Sequence, residues 1–437
     1  MVEAASEPSQ VVAGLRQKAG ERPAGSLSPW VAFPLMLPFG LCGGYTTVAL
    51  IFMLSRSGAS AAQIGSFLFV ILLPQSLKFL YAPLVDLTLG PRRWHAIGVV
   101  ATACALVAFA FIAPDARELA SLTTLGLIAT VGITLVAIPT DVIMAYDVAP
   151  DHKGKASGWS MAANLGGSAI GGGVALWLYG QGFSVWLLPT TLAAGCLLCV
   201  PFVLMTSTRE AFSAHMGWAA GQRALLRDTW AMIRSRLGAL TILLAILPIG
   251  TGAMQNLLPA LAADWHAGAD EVALVSGGLS GVLQIIGSLI GGAICDRFNR
   301  RWTYCVSGLV LGGVVVAMAF GSRTPAAFIG FGLAYAFVIG IAYAAYAASI
   351  LEAIGTGAAA SKYTLIVSAS NFAIFGQSAF EGWVHDRVSV TGMLLFEAVA
   401  AVAAVIVYAI VSAWSRLRAP ADPAPMLQAG PALLGAR

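Results

Sequence analysis

Two ionisable side chains stand among long apolar runs of this sequence: Lys78, after the stretch that starts at Ile64, and Asp141, after the stretch that starts at Gly126. A lone charge surrounded by hydrocarbon costs several kcal/mol, so each must face a partner or an aqueous cavity. An amine and a carboxylate are each other's candidates. If their separation changes, the carboxylate binds a proton in one arrangement and releases it in the other; if it does not, they are a structural ion pair, and the spacing leaves both open. Thr130, Thr134 and Asp141 share a face, since seven residues make about two helical turns. Tyr335, Tyr343 and Tyr346 fall within about 80° on one helix, at ~100° per residue. Tyr45, Gln75, Gln255, Asn256, Gln284 and Asn371 are further polar groups that could line a cavity or bond between helices. Glu381 lies beyond Asn371 and Gln377, while Glu397 reads equally well as packing. There is no HExxH, GxSxG or phosphate-cradling loop, no paired-carboxylate site, and no histidine placed for a midplane relay. An enzyme is not expected, nor a cofactor or metal.

The elements that must hold these groups follow from composition. The 437 residues are 58% hydrophobic and only 10% charged, with a mean hydropathy of +0.83. Soluble domains carry about 25% charged residues. Disordered and nucleic-acid-binding chains need more charge still. The apolar runs are long and continuous, unlike the ~10-residue alternation of a membrane barrel. The expectation is an all-α integral membrane protein with twelve spans, near 30–54, 63–85, 95–113, 119–145, 156–179, 183–205, 237–262, 271–294, 302–321, 325–351, 361–386 and 390–415. These divide into a tail (1–29), a six-helix bundle (30–205), a linker (206–236), a second bundle (237–415) and a tail (416–437). In the linker, Trp218, Leu225, Leu226, Trp230 and Ile233 recur near helical spacing between arginines, so it reads as an interfacial helix or a solvated connection. Pro38, Pro74, Pro83, Pro139 and Pro248 should kink their spans. Cys196 and Cys199 sit in an apolar run without acidic or histidine companions and read as packing.

Lysine and arginine placement sets the orientation. With both tails cytoplasmic, nineteen of the 24 Lys and Arg fall on the cytoplasmic side, and only Arg56, Arg117, Arg323 and Arg387 lie opposite.

The two halves echo each other. After the second span stands Ala82-Pro83-Leu84-Val85-Asp86, then Arg92 and Arg93; after the eighth stands Gly292-Ala293-Ile294-Cys295-Asp296-Arg297, then Arg300 and Arg301. The second copy resembles the G-x-x-x-D-R-x-x-R-R loop of the major facilitator superfamily. That resemblance implies two pseudo-symmetric six-helix bundles, with span two against span eleven and span eight against span five. It also implies that Asp86 caps the helix that starts near Ser361 and Asp296 the one near Ala156. The arginines would tie the loops together, as a latch that exists only while that side is shut. Leu77-Lys78-Phe79-Leu80-Tyr81-Ala82-Pro83-Leu84-Val85-Asp86, Thr140-Asp141-Val142-Ile143 and Ser361-Lys362-Tyr363-Thr364-Leu365-Ile366-Val367-Ser368 resemble the peptide/acetyl-CoA/drug transporter family, which includes AmpG-like muropeptide permeases and siderophore permeases.

The expected function is alternating-access transport of a bulky polar metabolite, driven inward by protons, by a monomer in a bacterial inner membrane. Drug or metabolite efflux is the alternative within transport, and a transporter-like sensor without net flux the alternative outside it. No nucleic-acid partner is expected.

Overall fold

The computed structural model describes residues 26–207, 218–276, 278–355 and 357–417. Most of both expected tails and the stretch 208–217 of the linker lie outside the described residues. Apart from one isolated bridge between Ser26 and Val148, the regular structure among the described residues is helical. That follows from the solvent: in hydrocarbon a helix satisfies its backbone groups within its own segment.

The first half comprises α1 (Pro29–Arg56), α2 (Gln63–Leu80), α3 (Pro91–Phe109), α4 (Ala116–Asp147), α5 (Pro150–Gly180) and α6 (Leu187–Met205). A connecting helix α7 (Trp218–Arg234) turns by 80° into α8 (Arg236–Ile246). The second half continues with α9 (Ala253–Leu261), α10 (Ala269–Ser276), α11 (Gly278–Cys295), α12 (Arg300–Phe320), α13 (Pro325–Ala353), α14 (Ala359–Arg387) and α15 (Val390–Leu417). Among the described residues nine helices are long and apolar enough to cross a membrane, or ten if α7 and α8 count as one. Three more crossings complete the twelve-helix fold. α3 and α14 carry polar and charged residues that lower their hydropathy, and the seventh crossing is divided into α8 and α9.

That division is the main departure from the expected continuous spans. Pro248 removes a backbone donor. Gly252 adopts φ +70°, and a Cβ there would meet Ile339 Cδ1 at 2.3 Å, so the chain can turn there only without a side chain. A milder break interrupts the second crossing. α2 contains Pro74, the Tyr81 hydroxyl donates to the Pro74 carbonyl at 2.8 Å, and a short helix Ala82–Leu87 continues the chain.

One apolar cluster fills each half, around Leu106 and Phe67 in the first and Phe328 and Trp265 in the second. A third joins both halves at the end where α2 finishes and α14 begins, and includes Ala82, Val85, Ile350 and Tyr363. Large apolar side chains such as Phe69, Phe111 and Leu198 are exposed on the perimeter, as a bilayer-facing surface requires. The six cysteines are free thiols, and Cys196 and Cys199 are buried.

Candidate functional site

A cavity of about 170 Å³, partly open to solvent, lies between the two halves. α1, α2, α4 and α5 line it on one side; the break between α8 and α9, with α12, α13 and α14, lines it on the other. Of the residues singled out from the sequence, Gln75, Lys78, Asp141, Tyr343, Tyr346 and Asn371 come together on its wall. Lys78 is 9% exposed and Asp141 3%. Asp141 feels the charge of Lys78 and interacts with the Tyr363 hydroxyl, yet its Oδ1 has no hydrogen-bond partner. The two do not form a contact ion pair among the described residues, so the carboxylate keeps one buried acceptor without a partner.

The break in the second crossing explains how Lys78 reaches this wall. It sits on a single turn, Lys78–Leu80, between the end of the regular helix at Ser76 and the proline-led helix Ala82–Leu87. The hinge thus turns the amine towards the cavity while Asp86 reaches the other half.

Four other predicted residues lie elsewhere. Tyr45 is buried in a π-helical turn of α1, edge-on to Phe109 at 5.5 Å. Gln255 is half-buried on α9 and does not line the cavity. Tyr335 donates to Glu397 at 2.5 Å, and Glu381 accepts from Gln377 at 2.7 Å; neither residue lines the cavity. The tyrosine stripe therefore divides: Tyr343 and Tyr346 face the cavity, and Tyr335 bonds to α15. Conversely, sequence reading passed over Asn164, Thr251 and Tyr304, which line the cavity. Asn164 offered a signal, as a lone amide among small residues, and it sits in a second π-helical turn, Ala162–Gly166. Such turns often mark functional positions in helices. The sequence also showed no paired carboxylates, whereas the fold sets Glu381 beside Glu397.

Cross-half hydrogen bonds gather at one end of the molecule. Asp86 accepts from the Ala360 amide at 3.1 Å, the Ser361 amide at 2.8 Å and the Ser361 hydroxyl at 2.7 Å, all at the start of α14. Asp296 accepts from the amides of Gly154 at 2.7 Å and Lys155 at 3.1 Å, in the first turns of α5. A carboxylate at a helix N-terminus meets unpaired N–H groups and the positive end of the helix dipole. Arg300 donates to the Pro150 carbonyl at 2.6 Å, and Lys153 to the Leu351 carbonyl at 3.2 Å. Arg301 pairs with Glu352 at 3.7 Å within the second half. Arg92 is half-buried, and Arg93 and Arg297 are exposed; among the described residues none of the three side chains makes a hydrogen bond or ion pair. The linker joins this end too: Asp228 of α7 pairs with Lys362 at 3.0 Å and accepts from the Ala358 amide at 2.7 Å.

Known proteins share this architecture. A fucose transporter, FucP, solved in the outward conformation, aligns with TM-score 0.65 and 14% identity over 90% of this chain and 99% of that one. The proton:xylose symporter XylE aligns with TM-score 0.60 and 15% identity over 86% and 94%. A bacterial homologue of the iron transporter ferroportin, in an outward-facing state, aligns with TM-score 0.59 and 15% identity over 89% and 99%. At these identities the likeness is one of fold. In sequence, the 4-hydroxybenzoate transporter PcaK of Acinetobacter baylyi is 38% identical over 76 residues, which span 17% of this chain and only 16% of that protein. The Major Facilitator Superfamily model matches residues 32–375, from the first crossing through the cavity-lining part of α14. With two six-helix halves closed over a shared cavity and a family match across most of its length, the chain is a transporter belonging to the Major Facilitator Superfamily.

Proposed function

We propose that the protein is a proton-coupled importer of a bulky polar metabolite, with the central cavity as its solute site and both chain ends in the cytoplasm of a bacterial inner membrane. The observation that carries this reading is the pair Lys78 and Asp141, buried in the cavity wall with one carboxylate oxygen unpartnered. A carboxylate in that position takes up a proton when Lys78 withdraws and releases it when Lys78 approaches. Gln75, Asn371 and Tyr343 offer donors and acceptors to a polar solute, while Phe39 and Met36 supply apolar contact.

Connectivity supports coupling between cavity and closure. Lys78 and Asp86 lie eight residues apart on one hinged stretch. On the facing helix, Ser361 bonds to Asp86 and Tyr363 reaches Asp141. A displacement of Lys78 therefore pulls on both sides of the latch. The hydrogen-bonded end is the basic end, and the excess of Lys and Arg there supports a cytoplasmic position for it. Arg92, Arg93 and Arg297 serve there as topology determinants rather than as bridges. XylE's description as a proton:xylose symporter and PcaK's as a 4-hydroxybenzoate carrier favour a proton-linked polar solute. The resemblance of 77–86 to the AmpG-like branch extends the size range to muropeptides and siderophores. The protein acts as a monomer, each chain holding a complete cavity.

The test compares proton-driven accumulation with substrate exchange at equal pH in reconstituted vesicles. Asp141→Asn is expected to abolish accumulation and retain exchange. Continued accumulation against a gradient would remove Asp141 from coupling. Outward accumulation by the unaltered protein would make it an exporter.

A further inference from the structure

Outside the cavity, α13, α14 and α15 enclose two carboxyl groups that the transport cycle described above leaves unused. Glu381 is 0% exposed and Glu397 5%. Phe380 and Phe396, the residues before them, are in contact with ring centroids 4.6 Å apart, so α14 and α15 meet at the level of the two glutamates. Glu381 lies within reach of the Glu397 charge, and the Tyr335 hydroxyl lies within reach of both. Glu381 Oε1 accepts from Gln377 Nε2 at 2.7 Å and Glu397 Oε1 from the Tyr335 hydroxyl at 2.5 Å. The second oxygen of each carboxyl has no hydrogen-bond partner.

No cation balances them among the described residues. The titratable group facing the pair from α13 is Tyr335, a neutral hydroxyl. Arg323 lies over the Trp265 ring at 3.8 Å and donates to Thr391 at 3.0 Å. Arg387 lies over the Trp383 ring at 5.6 Å. Two neighbouring carboxylates in a low-dielectric interior cannot both ionise without a counter-charge. One proton relieves the repulsion, and it turns one unpartnered oxygen into a donor.

We infer that Glu381 and Glu397 hold a single proton between them and form a proton-binding site separate from the cavity but joined to it through Gln377 and Thr251. The joining is continuous. The Thr251 hydroxyl donates to Gln377 Oε1 at 2.5 Å. Thr251 lines the cavity, lies in the break between α8 and α9, and its carbonyl accepts from Tyr343 at 2.9 Å. Loss of the proton leaves two like charges side by side. Their repulsion falls on the Gln377 amide and hence on the hinge of the seventh crossing. That consequence for transport rests on the proposed function; the shared proton does not.

Infrared spectroscopy of the full-length protein in lipid nanodiscs tests the site without a substrate. The Asp141→Asn background removes the cavity carboxyl from the spectrum. At neutral pH this protein should show a carbonyl band from a buried protonated carboxylic acid. Glu381→Gln or Glu397→Gln alone should abolish it, because glutamine takes the place of the neutral partner and leaves the other ionised. Thermal unfolding near that of the parent is expected for both variants, since glutamine preserves shape and neutrality. No band in the parent, or an unchanged band in both single variants, would overturn the shared proton. Thr251→Val should shift the band; an unmoved band would overturn the connection to the cavity. If Asp141→Asn still accumulates solute while the glutamate band behaves as stated, the coupling role of Asp141 fails and the proton site stands.

Discussion

The cross-half contacts of Asp86 and Asp296 share a position in their respective halves but differ in construction. Asp86 is 4% exposed and takes three hydrogen bonds, one from the Ser361 side chain. Asp296 is half-buried and takes two, both from backbone amides. Around Asp86 the closure depends on side chains: Lys362 pairs with Asp228 of the linker helix, and Tyr363 reaches Asp141 in the cavity. Around Asp296 it depends on the near absence of side chains. A Cβ on Gly158 would lie 2.6 Å from the Ser288 carbonyl oxygen, and one on Gly292 2.6 Å from that of Gly154. The same motif position thus sits among bonded side chains in one copy and at the rim of a backbone-on-backbone seam in the other. Small residues at helix interfaces permit such close approach.

The sharpest way to break this contrast is to block the seam. Gly158→Leu leaves no room for α11, and overpacking of this kind costs about 1–3 kcal/mol or more. The largest rise in accessibility of a cavity cysteine from the basic end is expected here, with folding of each half retained. Accessibility equal to that of the parent would show that the seam does not hold the closed state.

Next comes the direct comparison of the two acids. Asp86→Ala strands three buried donors, each of which costs about 1–3 kcal/mol when unsatisfied. Asp296→Ala removes a helix cap that water can partly replace, worth about 0.5–2 kcal/mol. The same accessibility assay should therefore rise more for Asp86→Ala than for Asp296→Ala. Equal responses would erase the distinction.

The smallest effect is expected from Arg93→Gln. An exposed arginine without a partner contributes within about 0.5 kcal/mol. Transport and accessibility should match the parent, and a loss comparable to that of Asp86→Ala would mean that the loop arginines close the gate after all.

Much of this was legible before any coordinates. The apolar runs specified helices because hydrocarbon permits few other spanning structures. The duplicated small-residue-and-Asp signal pointed to Asp86 and Asp296 because the need for an acceptor at a helix start leaves its mark in local sequence. Lys78 and Asp141 stood out because a charge in an apolar run is costly whatever surrounds it. The helical period was less informative about direction. It grouped Tyr335 with Tyr343 and Tyr346, but α13 is long enough that one end meets α15 and the rest meets the cavity. Nor could it reveal that Thr251 lies in a break, since Pro248 suggested a kink and not the left-handed turn at Gly252.

By itself, then, the sequence determined the class of the molecule, its division into halves and the residues whose burial demands compensation, because these depend on hydrophobicity and charge along the chain. Tertiary structure alone decided which demands are met together. Glu381 and Glu397 are sixteen positions apart on separate helices. Nothing in that spacing distinguishes two solvated or separately bonded acids from a pair; only the packing of α14 on α15, with Phe380 against Phe396, buries the two carboxyls in one region.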